Sequence, residues 1–220
     1  MGLNIVITGV TGMVGEGVLL ECLQNKNIDK ILSVSRKPAE WKHPKLQELM
    51  VTDFMQLDAF REQFKGFDAC FYCAGISSVG LNEDQYTKIT YDITLHMAGE
   101  LKEMNPDLIF NFVSGGHTDS SEQGKVMWAR VKGRTENALS KLFPGREYNF
   151  RPGLMKPVKE QKHVKGNNKY IKVLFPLLNL FFPSCDIRDI GKAMINATIN
   201  GYSKNILEVK DIKELAAKGS

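Results

Sequence analysis

Apolar positions along this chain follow two rhythms. Short continuous runs such as Ile5-Val6-Ile7, Ile31 to Val34, Ala69 to Cys73 and Leu108 to Val113 read as strands buried on both faces. Between them, apolar residues recur at helical spacing, as in Val14, Val18, Leu19, Cys22 and Leu23. Strands are expected at Ile5–Ile7, Ile31–Ser35, Leu49–Thr52, Ala69–Gly75, Leu108–Val113, Tyr148–Phe150 and Asn205–Val209. Helices are expected after the first strand, over Met55–Phe64, over Leu81–Asn105, around Trp128–Glu136 and around Asp186–Met194, with a polar connection and short helix over Trp41–Glu48. Strands alternating with helices make an α/β fold built on a doubly wound parallel sheet. The expected organisation is a single domain over residues 1–220, with a small C-terminal portion beside the main sheet. Residues 154–185 are assigned to a lid or loop region there. This stretch includes a polar, lysine-rich run, Lys156–Asn168, and an apolar run, Tyr170–Phe182, read as core or lid.

The first strand and first helix enclose the turn Thr8-Gly9-Val10-Thr11-Gly12-Met13-Val14-Gly15. A glycine motif gains meaning from that strand–turn–helix context. Gly9 suits the tight turn, Gly12 lets the backbone approach a pyrophosphate, and Gly15 lets the helix pack close to the strand. The helix N-terminus offers free N–H groups and a partial positive charge to phosphates. Thr11, Met13 and Val14 join Gly9 and Gly12 as candidate cofactor contacts. The plainer alternative, a loop using glycine only for its backbone angles, is weakened by the strand and helix on either side.

The end of the second strand bears on the choice of cofactor. NAD-binding folds usually place an acid about 20 residues past the glycines, on the ribose 2′-hydroxyl. Here the chain reads Ser35-Arg36-Lys37, without a carboxylate. A guanidinium grips a 2′-phosphate through two parallel bonds. Arg36 and Lys37 therefore favour NADP(H) over NAD(H), the alternative being two solvated loop cations.

Composition narrows the class without identifying a substrate. The 220 residues are 43% apolar and 25% charged, with a net charge of +4. The basic residues are scattered, which argues against a nucleic-acid partner. The apolar run Val173–Pro183 is interrupted by Pro176 and Asn179 and is too short to span a bilayer, so no membrane association is expected. Met1 leads directly into a strand, so no secretory leader is read, and four cysteines read as reduced thiols of a cytoplasmic protein. Cys70 and Cys73 lie three apart on a strand and point to opposite faces, which favours buried cysteines over a metal or redox pair.

With its Thr-Gly-x-x-Gly-x-x-Gly turn, the sequence resembles the short-chain dehydrogenase/reductase superfamily, in particular its atypical or extended, epimerase-like branch that includes Tat-interacting-protein-like oxidoreductases. The resemblance extends over most of the chain and implies a single NAD(P)-binding Rossmann domain over residues 1–220, with the small C-terminal portion on its substrate side. It implies that Asp53 binds the adenine amino group and Phe54 lines the adenine pocket. Asp53 followed by Gln56 also reads as a capping box. Ala74 and Gly75 match the end of the family's Asn-Ala-Gly segment, with Cys73 in the asparagine place, and would let the cofactor ribose lie against the backbone. The backbone of Arg151-Pro152-Gly153 would lie beside the nicotinamide, although proline and glycine also serve as plain turn formers.

In the resembled family, a serine ends the fifth strand and a Tyr-x-x-x-Lys motif follows on the next helix. Ser114 and Lys132 match the serine and lysine, but Trp128 occupies the tyrosine position. Residues four apart share one helix face, which lets the lysine hold the ribose and lower the phenol's pKa. An indole N–H only donates and has no acid–base cycle near neutral pH. Three readings remain: an NADP(H)-binding regulatory or interaction module without catalysis, an enzyme using another acid such as His117, or a tyrosine supplied from elsewhere. No metal site is expected, and the substrate is an unidentified small molecule. The protein is expected to be a monomer or homodimer.

Overall fold

The computed structural model describes residues 2–164 and 183–218. In chain order the elements are β1 (Leu3–Thr8), α1 (Met13–Gln24), β2 (Ile28–Ser35), β3 (Leu46–Met50), β4 (Ala69–Tyr72), α2 (Glu83–Thr87), α3 (Ile93–Met104), β5 (Ile109–Val113), α4 (Met127–Leu142), β6 (Glu147–Arg151), β7 (Leu154–Lys156), β8 (Ser184–Asp186), α5 (Ile187–Asn200), β9 (Ile206–Glu208) and α6 (Val209–Ala217). Seven strands form one sheet in the order β3-β2-β1-β4-β5-β6-β9, every pair parallel. β7 and β8 pair separately, also in parallel. The chain winds outward from β1 to β3 and then crosses to β4, so the topological switch lies between β1 and β4. In such sheets ligands bind beyond the strands' carboxyl ends at that switch.

Helices cover both faces, and each face has its own core. On one side Ile5, Ile7 and Phe71 pack with Val18, Leu19 and Cys22 of α1 and with Ile190 and Met194 of α5. On the other, Val6, Tyr72, Phe110 and Phe112 pack with Met97 and Leu101 of α3 and Leu139 of α4. Strand alternation assigns these sets, since neighbouring side chains point to opposite faces. Cys70 belongs to the second core and Cys73 packs against the first, and all four cysteines are free.

Several local expectations are corrected. β3 begins three residues before the expected Leu49, because only Leu49 of its five residues is buried and an edge strand carries a weak apolar signal. No helix forms between Trp41 and Glu48. The helix expected over Met55–Phe64 is a 3₁₀ segment, Asp58–Phe64, preceded by Leu57 rather than capped by Asp53. Asp53 instead closes a local turn, its carboxylate accepting from the Met55 N–H at 2.9 Å. The long helix over Leu81–Asn105 begins at a real capping box, Asn82 with Gln85, but its middle opens into a π turn over Lys88–Asp92. The lid assigned to 154–185 lies largely outside the described residues.

Candidate active site

The exits of β1 and β4 are joined by one hydroxyl. Thr8 Oγ1 accepts from the backbone N–H of Cys73 at 3.2 Å and of Ala74 at 3.1 Å. Gly9 follows with φ +71°, and a Cβ there would lie 2.6 Å from the Cys73 carbonyl carbon. A Cβ on Gly15 would lie 2.2 Å from the Gly9 carbonyl oxygen. Both positions exclude any side chain, which keeps a cradle walled by backbone. Gly12 N–H donates to Gly9 O at 2.9 Å, and α1 starts at Met13 without a side-chain cap. Uncapped first-turn amides and a glycine-walled cradle fit a pyrophosphate.

The other expected cofactor residues gather at neighbouring strand ends. Arg36 and Lys37 are exposed where β2 ends, and neither side chain makes a hydrogen bond or ion pair among the described residues. Asp53 is exposed beyond β3, while Phe54 is half-buried against the second core. Ala74 and Gly75 follow β4, and a Cβ on Gly75 would meet nothing within 4 Å.

A second patch forms where β5 ends. Ser114 is buried, its Oγ 3.0 Å from Thr118 Oγ1. Thr118 donates its own proton to the Gly115 carbonyl at 2.8 Å, which leaves Ser114 as donor within the pair. Lys132 Nζ lies 3.1 Å from the Ser114 carbonyl oxygen and 5.4 Å from the centre of the Phe112 ring. Burial pushes its pKa down to about 8, against the upward pull of Glu136. A Cβ on Gly115 would lie 3.7 Å from Trp128 Cζ3 and 3.9 Å from Lys132 Cδ. Ser114, Thr118, Trp128 and Lys132 therefore border the same turn.

Two further candidates lie near this turn. His117 is exposed with φ +65° and makes no hydrogen bond among the described residues. The Arg151 guanidinium points into the protein, where Nε donates to Glu136 Oε1 at 3.0 Å and Nη2 to Ser120 Oγ at 2.6 Å. Any cofactor contact from Arg151-Pro152-Gly153 thus falls to backbone, and the Pro152 carbonyl does reach this turn, accepting from Gly116 N–H at 3.0 Å. Thr118 had no reading in the sequence. Its only signal is a hydroxyl shortly after Gly115-Gly116, brought back toward Ser114 by the left-handed His117.

Among the described residues no helix is long and apolar enough to cross a membrane, and no His, Cys, Asp and Glu cluster could hold a metal ion.

A model of the NAD dependent epimerase/dehydratase family matches residues 5–125, ending just before Trp128 and Lys132. Among curated proteins, "Leucinostatins biosynthesis cluster protein T" of Purpureocillium lilacinum is 29% identical over 64% of this chain and 52% of its own length. "Protein fmp52, mitochondrial" of Emericella nidulans is 24% identical over 92% of this chain and 90% of its own. A Meyerozyma guilliermondii protein of the same name is 28% identical over 86% of this chain and 83% of its own. Among solved structures, yeast methylglyoxal/isovaleraldehyde reductase Gre2 with NADPH superposes with a TM-score of 0.70 at 16% identity, covering 94% of this chain and 77% of that one. Bordetella bronchiseptica WbmF with NAD+ gives a TM-score of 0.70 at 14% identity, covering 98% and 76%. These likenesses show a shared Rossmann-type fold. The mitochondrial names of the fungal relatives overturn the cytoplasmic expectation.

Proposed function

Since this chain belongs to the NAD dependent epimerase/dehydratase family, we propose that it is an NADP(H)-binding protein of the short-chain dehydrogenase/reductase type with altered chemistry. The observation that carries the cofactor choice is the pair of exposed cations Arg36 and Lys37 at the end of β2, neither with a side-chain partner among the described residues. They stand where a 2′-phosphate would reach if the pyrophosphate sat at the Gly9–Gly15 cradle. Asp53, Phe54, Ala74 and Gly75 serve the adenine and ribose, and the Lys132 ammonium holds the second ribose beside the β5 exit.

A nicotinamide dinucleotide, when bound, supplies or accepts a hydride. The chain's own contribution is narrower than in relatives with a tyrosine. A substrate oxygen would take the Ser114 hydroxyl proton in place of its present bond to Thr118, and Lys132 holds charge at the turn. Trp128 donates one N–H and cannot exchange a proton. The reductase reading is favoured by the NADPH-bound reductase among the structural neighbours. A second reading, a non-catalytic NADP(H)-binding regulatory or interaction module, is favoured by Trp128 itself. The substrate of the first reading is an unidentified small molecule.

The test is a titration of the protein with NADPH and NADH at fixed salt, repeated for Arg36→Asp. NADPH is expected to bind more tightly, and the substitution to weaken it by about 10- to 100-fold relative to NADH, the scale of one charge-assisted pair. An unchanged ratio between the two nucleotides would remove the argument for NADP(H).

A further inference from the structure

Glu16 lies in the first turn of α1 and is fully buried, yet the cradle makes no use of its carboxylate. Oε1 accepts from Trp41 Nε1 at 3.0 Å and from the Lys162 N–H at 2.8 Å. Oε2 accepts from the His163 N–H at 2.8 Å, and His163 Nδ1 stands 3.3 Å from Oε1. The same short segment is held by further contacts. Gln161 accepts from the Val158 N–H at 2.7 Å and donates its amide to the Met13 carbonyl. Lys162 Nζ donates to the Glu40 carbonyl at 2.8 Å and sits 4.4 Å from the centre of the Trp41 ring. Glu160 pairs with Arg188 of α5 at 3.2 Å.

One buried carboxylate thus joins three parts of the chain: α1, the loop after β2 and the segment after β7. Burying a carboxylate is costly unless donors replace its water. Three N–H groups do so here, and the first turn of a helix favours a negative charge. An aliphatic side chain would fill this space without that desolvation, so the gain from a carboxylate lies in fixing the two segments that meet it.

The loop fixed by Trp41 is the one that carries Arg36 and Lys37. Ser35 Oγ donates to the Lys37 carbonyl at 2.6 Å, and the N–H of buried Ala39 donates to Glu48 at 3.0 Å. Glu40 then takes a left-handed conformation, φ +59°, which turns the chain so that Trp41 meets α1. The two cations lie between these pins.

We propose that Glu16 is a positioning residue for 2′-phosphate recognition. Acting through Trp41, and through Lys162 on Glu40, it holds the Arg36–Lys37 turn beside the cradle and ties that turn to Val158–His163. This rests on the NADP(H) reading above. It also predicts that the two segments loosen together.

The test compares the full chain with Trp41→Phe and Glu16→Gln. The first removes the indole donor and keeps a ring beneath Lys162; the second keeps one acceptor oxygen. Dissociation constants for NADPH and NADH are measured alongside hydrogen exchange of peptides covering 36–41 and 158–163. Trp41→Phe is expected to weaken NADPH about fivefold, the scale of one hydrogen bond, and NADH less than about twofold. Exchange is expected to quicken in both segments together, in both variants. Equal weakening of the two nucleotides, or a lower melting temperature with an unchanged nucleotide ratio, would make Glu16 merely structural and overturn the proposal. Faster exchange in one segment alone would also overturn it. If the unaltered protein binds both nucleotides equally, the NADP(H) preference fails by itself, and the exchange result then decides whether Glu16 links the two segments.

Discussion

Helices α1 and α4 both begin near the functional ends of strands, but they meet their neighbouring elements through different contacts. α1 is seated by close approach. A Cβ on Gly17 would lie 2.3 Å from Ile187 Cγ2, and one on Gly191 of α5 would lie 2.9 Å from Glu21 Cβ. α4 also comes close to backbone, a Cβ on Gly133 lying 1.8 Å from the Asp119 carbonyl oxygen, but its tie to the sheet runs through polar side chains. Glu136 pairs with Arg151 of β6, and Ser140 donates to Glu147 at 2.8 Å. The difference carries over to what each helix presents. α1 offers backbone to a phosphate, a ligand recognised by geometry and charge. α4 offers Trp128 and Lys132, and a single side-chain identity there decides which chemistry is open.

The largest expected effect is on the α4 side. If Ser114 and Lys132 are otherwise assembled, Trp128→Tyr restores a proton donor one turn from Lys132. The expected outcome is a gain of about 10²- to 10⁴-fold in NADPH-dependent reduction across a panel of aldehydes and ketones, the usual contribution of general acid catalysis. No gain with unchanged NADPH binding would show that the patch is unsuited to the reaction, and would favour the regulatory reading.

The polar seating of α4 makes a second prediction, about pH. Glu147 is buried at the start of β6, and burial pushes its pKa up to about 7, with Ser140 and Asn205 opposing and Glu136 adding to the rise. An acid whose pKa is raised on folding stabilises the fold while it is protonated. Its contribution is present below about pH 4.5 and is lost as pH rises toward 7. The loss corresponds to about 3 kcal/mol. Urea unfolding between pH 5 and 7.5 is therefore expected to show falling stability, and Glu147→Gln to flatten that fall. Parallel pH profiles for the two proteins would show that Glu147 is not held in its neutral form.

The two helices also differ in how far they can be read from the chain. The glycine spacing before α1 predicts a backbone cradle, and φ at Gly9 with the crowding at Gly15 explains why side chains are excluded there. Ser114, Trp128 and Lys132 are legible from their order along the chain. Thr118 is not, because it reaches Ser114 only through a left-handed residue at His117. Arg151 enters the sequence reading only through its backbone, and only the neighbouring helix shows that its guanidinium belongs to Glu136. The clamp at Glu16 is illegible for the same reason, since its partners are Trp41, Lys162 and His163. Local spacing reports what the backbone does. Polar side chains declare their roles only when distant segments meet.

The smallest effect tests whether the seating of α1 and the cradle are separable. Gly17→Ala places a methyl against Ile187, and overpacking of this kind typically costs about 1–3 kcal/mol. Alanine's better helix propensity returns about 0.5–1 kcal/mol, so the net loss expected is about 1–2 kcal/mol. The clash is with Cγ2 of a β-branched side chain, and leucine carries no methyl at that position. Gly17→Ala combined with Ile187→Leu is therefore expected to recover about 1 kcal/mol more than the two single changes add to, a coupling typical of residues in contact. Gly17 faces α5 rather than the turn, so NADPH affinity should stay within about twofold in all three variants, well inside 1 kcal/mol. A fall in affinity that tracked the fall in stability would join the packing of α1 to the cradle as one unit, and the contrast with α4 would then lie only in the chemistry of its contacts.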